Sequence, residues 1–158
     1  MDEIADKIIV GSEEWCGLPE LGIPAIKARV DSGAKTSALH AYNIKGFRRG
    51  GRRYVRFDAH PLQGNRRPTI PCEAEVIGRR IVKSSNGVAS KRYVIRTPMT
   101  LGDRTWTIEV TLANRDSMGY RMLLGREAMR DRVLVDPGAE TRLGDKTRRE
   151  LASIYAGT

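Results

Sequence analysis

Cysteine is scarce in this 158-residue chain: it has two, Cys16 and Cys72. They could close one disulfide, but they do not make a secreted framework, so two reduced thiols in a cytoplasmic protein are expected. No apolar run approaches the roughly 20 residues that a membrane-crossing helix needs, and no membrane partner is expected. The N-terminus, Met1-Asp2-Glu3-Ile4-Ala5-Asp6, is acidic where a signal peptide is basic and then apolar. There is no Gly-x-x-x-x-Gly-Lys-Ser/Thr loop to seat a nucleotide and no His-Glu-x-x-His to hold zinc. His40, His60, Cys16 and Cys72 lie far apart without paired ligand spacing, so no metal and no cofactor is expected. Repeats and low-complexity tracts are absent as well.

Acidic residues are sparse through one long stretch. Between Lys45 and Arg96, 14 Lys or Arg face 3 acids (Asp58, Glu73 and Glu75), a surplus of +11 within a net charge of +9. The rest of the chain is therefore close to neutral. A localised field of this kind attracts an anionic partner and speeds its encounter. Nucleic acid, anionic lipid headgroups and acidic polypeptides all qualify. A merely solubilising arginine-rich surface is the bland alternative, weakened by the confinement of the surplus to one segment.

The length fits one domain (residues 1–158), with a core at about 10–138 and a tail at 139–158. Its pattern is that of strands. Leu18 to Pro24 reads as a hairpin feeding a strand from Ala25 to Asp31, because Pro and Gly there oppose a helix. Thr36 to Tyr42 reads as a turn and a short strand, and Tyr54 to Asp58 alternates as a half-buried strand should. Gly46 to Arg53 and Gln63 to Pro71 read as basic loops. Residues 76–95 form a long hairpin with a mobile tip, Ser84-Ser85-Asn86-Gly87, since Asn-Gly is a strong hairpin signal. Thr105 to Leu112 alternates for eight residues. Arg126 to Arg130 reads as one or two helical turns, and Val133-Leu134-Val135 as a closing strand. From Gly138 onward the tail is either a frayed terminus or a small helix docked on the dimer. The fold class is all-β with one short helix near Glu127.

Two strings carry the chemistry. Ile26-Lys27-Ala28-Arg29-Val30 runs into Asp31-Ser32-Gly33-Ala34, and Met122-Leu123-Leu124 runs into Gly125-Arg126. The first puts a carboxylate at the tip of a buried strand. Gly33 lets the backbone turn and aim its N–H at the carboxylate, Ser32 offers a hydroxyl, and Ala34 keeps the neighbourhood small. A lone Asp at a strand end is most often a turn residue; the second string shifts those odds.

Together the strings resemble the aspartic peptidases of the retropepsin kind, in which each subunit supplies one Asp. More narrowly, Asp31 to Ala41, Ser84 to Gly87, Asn114-Arg115-Asp116 and Leu123 to Ala128 resemble a bacterial family labelled ATP-dependent zinc protease and associated with RimK-type glutamate ligases. The resemblance covers roughly residues 10–138. It implies a closed retropepsin-like barrel, active as a homodimer, with Asp31 catalytic and Ser32, Gly33, Ala34, Gly125 and Arg126 supporting the loop. It also implies a flap, residues Ser84, Ser85, Asn86 and Gly87, closing over substrate. Two carboxylates meeting across a two-fold axis would hold one proton between them, one drawing a proton from water while the other protonates the scissile carbonyl. Family members are thought to trim glutamates that the ligase adds to a small-subunit ribosomal protein, so a glutamate-extended tail is the expected partner.

One departure bears on substrate. Retropepsins place an acid after the Asp-Thr-Gly-Ala string, where it pairs with the second-motif arginine. Here that position is Lys35, which makes the cleft floor cationic and leaves Arg126 to Glu127, Asp116 or a dimer mate. Two other readings stand beside this one. A non-catalytic barrel could bind RNA or an acidic tail through Arg48–Arg56 with Tyr54 and Phe57 interleaved. A zinc hydrolase rests on the family label.

Overall fold

The computed structural model describes residues 6–64, 67–83, 86–114 and 119–158. Eleven strands run in chain order: β1 (Ile8–Val10), β2 (Glu13–Leu18), β3 (Ile23–Asp31), β4 (Ser37–His40), β5 (Tyr42–Arg49), β6 (Arg52–Ala59), β7 (Ile70–Lys83), β8 (Ala89–Leu101), β9 (Arg104–Ala113), β10 (Met122–Gly125) and β11 (Val133–Val135). Two α-helices, α1 (Arg126–Met129) and α2 (Arg148–Ile154), and a 3-10 turn complete the described elements. The large sheet has the order β2-β3-β10-β4-β9-β8-β7-β6-β5, and β2 also pairs with β8. That extra pairing closes six strands into a barrel, from which β7, β6 and β5 extend. The all-β closed barrel expected from sequence is what forms.

The interior follows from alternation. Along β9, Trp106, Ile108 and Val110 are buried while Thr105 and Thr107 are exposed, as a strand with one face in the core requires. Leu18, Ile23, Ile26, Leu39, Ile95, Met99, Leu101, Met122 and Leu124 fill the barrel. The β2–β3 connection is a 3-10 turn, Pro19–Leu21, that ends at a left-handed Gly22, so β3 begins at Ile23 rather than Ala25.

One expectation fails. Gly46 to Arg53 is not a loop; it is the end of β5 and the start of β6, with Arg49 opposite Arg52. Gly50 and Gly51 both take positive φ, 58° and 78°, which is what a two-residue primed hairpin turn demands. The hairpin expected at 76–95 is β7–β8, and it runs further, from Ile70 to Leu101.

The tail is ordered against its own barrel. Asp136 N–H donates to Val10 O (2.7 Å), while Ser12 and Glu13 N–H donate to Ala139 O and Glu140 O (2.9 Å each). Thr147 and Glu150 form a capping box that starts α2. The Tyr155 hydroxyl bonds the main chain of Ala25 from the helix end.

Candidate active site

The barrel delivers Asp31 by ordinary strand packing. Ile26 and Ala28 on β3 point into the core, and β10 runs parallel beside it with Leu124 opposite Val30 and Gly125 opposite Asp31. Past Asp31 the chain turns sharply. Gly33 N–H donates to Asp31 Oδ1 (3.0 Å) and Ala34 N–H to Asp31 O (3.2 Å).

The second motif clasps that turn. Arg126 N–H donates to Ala34 O (2.8 Å), Glu127 N–H to Lys35 O (3.2 Å), and Arg126 Nη1 to Gly33 O (3.1 Å). The buried Gly125 N–H donates to Ser37 Oγ (3.0 Å). A Cβ on Gly125 would sit 2.6 Å from the carbonyl carbon of Thr36, so only glycine lets the two segments approach this closely. Trp106 Nε1 donates to Ala128 O (2.9 Å) and fastens α1 to β9. Of the partners open to Arg126, the structure uses none of the carboxylates among the described residues. Its guanidinium goes to a loop carbonyl, Glu127 lies 3.8 Å from Lys35 Nζ, and Asp116 is outside the described residues.

Asp31, Gly33, Ala34, Lys35 and Thr36 line one cleft of about 770 Å³. Ala38 and Leu123 contribute from the barrel, Arg80, Ile81, Val82 and Lys83 from β7, and Arg92 from β8. With Arg29 also on the rim, five cationic side chains surround a single acid, Asp31, among the described residues. Ser32 is exposed beside the cleft and does not line it. Ser84 and Ser85 lie outside the described residues. Asn86 and Gly87 are exposed and stand away from the cleft lining, Asn86 Oδ1 accepting Val88 N–H (3.1 Å). The hairpin reaches the cleft through its strands. Arg80, Lys83 and Arg92 were not singled out by sequence reasoning, although all three fall in the basic segment.

The remaining candidates are placed elsewhere. Cys16 and Cys72 are free and buried, their Sγ atoms reaching main-chain carbonyls of Ile26 (3.5 Å) and Leu21 (3.4 Å). Burial pushes both thiols up to about 12, far from the thiolate that a metal or electrophile requires. His60 is buried between the Tyr42 hydroxyl and Thr69 Oγ1 (3.0 Å), and the His40 ring lies 5.8 Å from that of Tyr42. Among the described residues no three His, Cys, Asp or Glu side chains could hold one metal ion, and no helix is long and apolar enough to cross a membrane. The basic run does meet aromatics, and of the two expected Tyr54 is among them. Phe57 is wholly buried, while Phe47 and Tyr54 stack on the outer face of β5–β6 with Arg49 and Arg56 over the Phe47 ring.

Residues 9–146 match the family described as RimB-like, retropepsin-like aspartic endopeptidase RimB. The chain belongs to the RimB-like family. A solved Legionella pneumophila protein of unknown function (DUF785) superposes with a TM-score of 0.72 at 31% identity, covering 86% of this chain and 98% of that one. Curated relatives of this RimB-like chain carry the name "Probable alpha-L-glutamate ligase". The one from Desulfotalea psychrophila is 56% identical over 153 residues, 97% of this chain and 33% of its own length. The one from Parasynechococcus marenigrum is 57% identical over 150 residues, 95% of this chain and 32% of its own. The chain spans about a third of the length of these relatives.

Proposed function

We propose that this chain is an aspartic peptidase of the cytoplasm, working as a homodimer in which each copy supplies one Asp31 and cutting glutamate-rich tails of a ribosomal protein. The observation that carries this reading is the Asp31 cleft: a carboxylate at a strand tip, braced from behind by the Gly125-Arg126 segment and ringed, among the described residues, by five cations. A chain with one such loop needs a second copy, and an isologous contact brings the two loops face to face. At contact distance the pair holds one proton. One carboxylate takes a proton from water as its oxygen attacks the peptide carbonyl carbon, and the other gives its proton to the carbonyl oxygen. Ser32, Gly33 and Ala34 shape the loop, Gly125 and Arg126 hold it, Lys35 meets acidic substrate side chains, and the tip at Ser84, Ser85, Asn86 and Gly87 closes over the cleft.

The ligase names fit this substrate. They describe proteins about three times as long, in which a segment like this chain is part of a polypeptide named as a probable glutamate ligase. A peptidase acting on what a RimK-type ligase adds is a coherent pairing of functions. The deciding experiment incubates the purified protein with a glutamate-extended peptide, wild type beside Asp31→Asn, read by mass spectrometry with and without chelator. Cleavage that persists in Asp31→Asn, or full activity from a monomer in sedimentation, would end the shared-dyad reading; loss of cleavage in chelator would favour the zinc reading. A non-catalytic second reading attaches to the Phe47–Tyr54 stack under Arg49 and Arg56. It predicts RNA or acidic-tail binding that Asp31→Asn leaves intact and Phe47→Ala removes.

A further inference from the structure

We infer that Arg80 and Arg92, facing each other across the root of the β7–β8 hairpin, form a carboxylate-binding subsite in the roof of the Asp31 cleft; this rests on the peptidase reading above and names what selects its substrate. The two are direct cross-strand partners in the antiparallel register. Like charges directly opposite one another destabilise a sheet, so such a pair calls for a reason. Their orientation adds to it. On β8, Arg92 is buried (7% exposed), in line with the buried Val94, while Lys91 between the hairpin tip and Arg92 is exposed. The strand thus places an arginine on its inward face, and that face is the cleft, which Arg80 and Arg92 line together with Asp31.

The counter-charge that Arg80 receives among the described residues is shared. Glu109 on β9 serves two guanidiniums at once, Arg80 Nη2 at 3.4 Å and Arg96 Nη2 at 3.3 Å. Arg80 Nη1 is buried and has no hydrogen-bond acceptor among the described residues. A buried donor without an acceptor carries a standing cost, and a ligand oxygen removes it. Arg92 is held in place by its Nε–H donating to Ser90 Oγ (3.0 Å). Guanidinium forks match the planar, two-oxygen geometry of a carboxylate better than any other side chain does. A carboxylate brought between the two arginines satisfies the idle donor and cancels the repulsion in one step. It comes either from a glutamate side chain beside the scissile bond or from the peptide's terminal α-carboxylate.

The test pairs hydrolysis with binding. Oligoglutamate peptides and the same peptides with one Glu replaced by Gln, each with a free or amidated C-terminus, are given to the wild type, Arg80→Met and Arg80→Lys. Arg80 is the partner to change because its side chain is 37% exposed, whereas Arg92 is buried. Loss of a charge-assisted contact predicts that Arg80→Met lowers kcat/KM on the Glu peptide by about tenfold or more. The Gln peptide matched at the contacted position should hardly change, and Arg80→Lys should recover part of the loss. If amidation alone abolishes the wild-type preference, the terminal carboxylate is the group bound; if amidation has no effect, it is the side chain. A Glu-to-Gln ratio and an amidation effect that are both the same in wild type, Arg80→Met and Arg80→Lys would overturn the subsite. Should no peptide be cut at all, the peptidase reading fails by itself. Fluorescence anisotropy of labelled oligoglutamate then decides the subsite, with affinity weakened by Arg80→Met supporting it and unchanged affinity overturning it.

Discussion

Replacing Glu14 with Gln tests how the tail is held. Glu14 is fully buried, and its carboxylate accepts three main-chain N–H groups: Gly11 (2.8 Å) and Arg142 (2.7 Å) on Oε2, Leu143 (3.1 Å) on Oε1. Gln keeps the shape but turns one oxygen into a donor, so in either orientation at least one N–H meets an NH2. A hydrogen bond to a charged group contributes about 1.5–3 kcal/mol and a neutral one about 1. One such bond vanishes and the others fall to neutral strength, a loss of roughly 4 kcal/mol. A neutral amide is cheaper to bury than a charge by about 1 kcal/mol or more, which leaves roughly 3 kcal/mol of destabilisation. For a domain of this size that lowers the melting midpoint by about 10 °C. Circular dichroism melts give the global figure, and hydrogen exchange locates it, since the Arg142 and Leu143 amides should lose protection before the barrel does. A midpoint within about 2 °C of wild type, with those two amides still protected, would refute the account of Glu14 as the tail's anchor.

Three further outcomes are expected. Gly125→Ala forces a Cβ to 2.6 Å from Thr36 C and 2.7 Å from its O; backbone must move, so urea unfolding should show a loss of roughly 1–3 kcal/mol. Acid should release the tail. The Gly138 N–H and the Arg142 guanidinium hold Asp136 below its usual range, and the Trp15 indole N–H (2.8 Å) does the same for Asp145. A depressed folded value stabilises above the ordinary carboxylate range and loses that contribution as pH falls through the folded value, so Trp15 emission in a Trp106→Phe background should shift below about pH 4 and stay constant above it. Cys16 and Cys72, both pushed up to about 12 by burial, should ignore Ellman's reagent at pH 8 until denaturant exposes them; rapid native reaction would contradict their packing.

Where one face of a strand is buried, the sequence showed it plainly. Thr105 to Leu112 alternates, and β9 is Arg104–Ala113. The same rule hides β5. Lys45, Arg48 and Arg49 are all exposed, because the β5–β6 hairpin extends beyond the barrel and has water on much of both faces. No hydrophobic period survives past Ile44 on β5, and the one usable sign there was Gly50-Gly51, read as part of a loop. The tail was ambiguous for a related reason. Its anchors are more than a hundred residues away, the buried Glu14 carboxylate among them, and a local pattern does not show that the acid in Glu13-Glu14-Trp15 at the inward position will be capped by main-chain N–H groups.

The motif half of the site was legible because its causes are local. Gly33 must be small where its N–H meets Asp31 Oδ1, and Gly125 must be small where it meets Thr36. Register is not local, and the arginine pair depends on register. A two-residue turn centred on Asn86-Gly87 would set Arg80 opposite Tyr93 and put Arg92 on the other face. The strands instead pair Lys83 with Ala89, leaving residues 84–88 between them, and the pairing shifts by one. A one-residue shift exchanges the faces of one strand relative to its partner, which turns Arg92 inward beside Arg80. The pairing shifts again between Val76 and Gly78, so the strand returns to ordinary core packing, Val76 opposite Ile95, just past the cleft. The exchange of faces is confined to the part of the hairpin that roofs Asp31, and the cation pair exists only there.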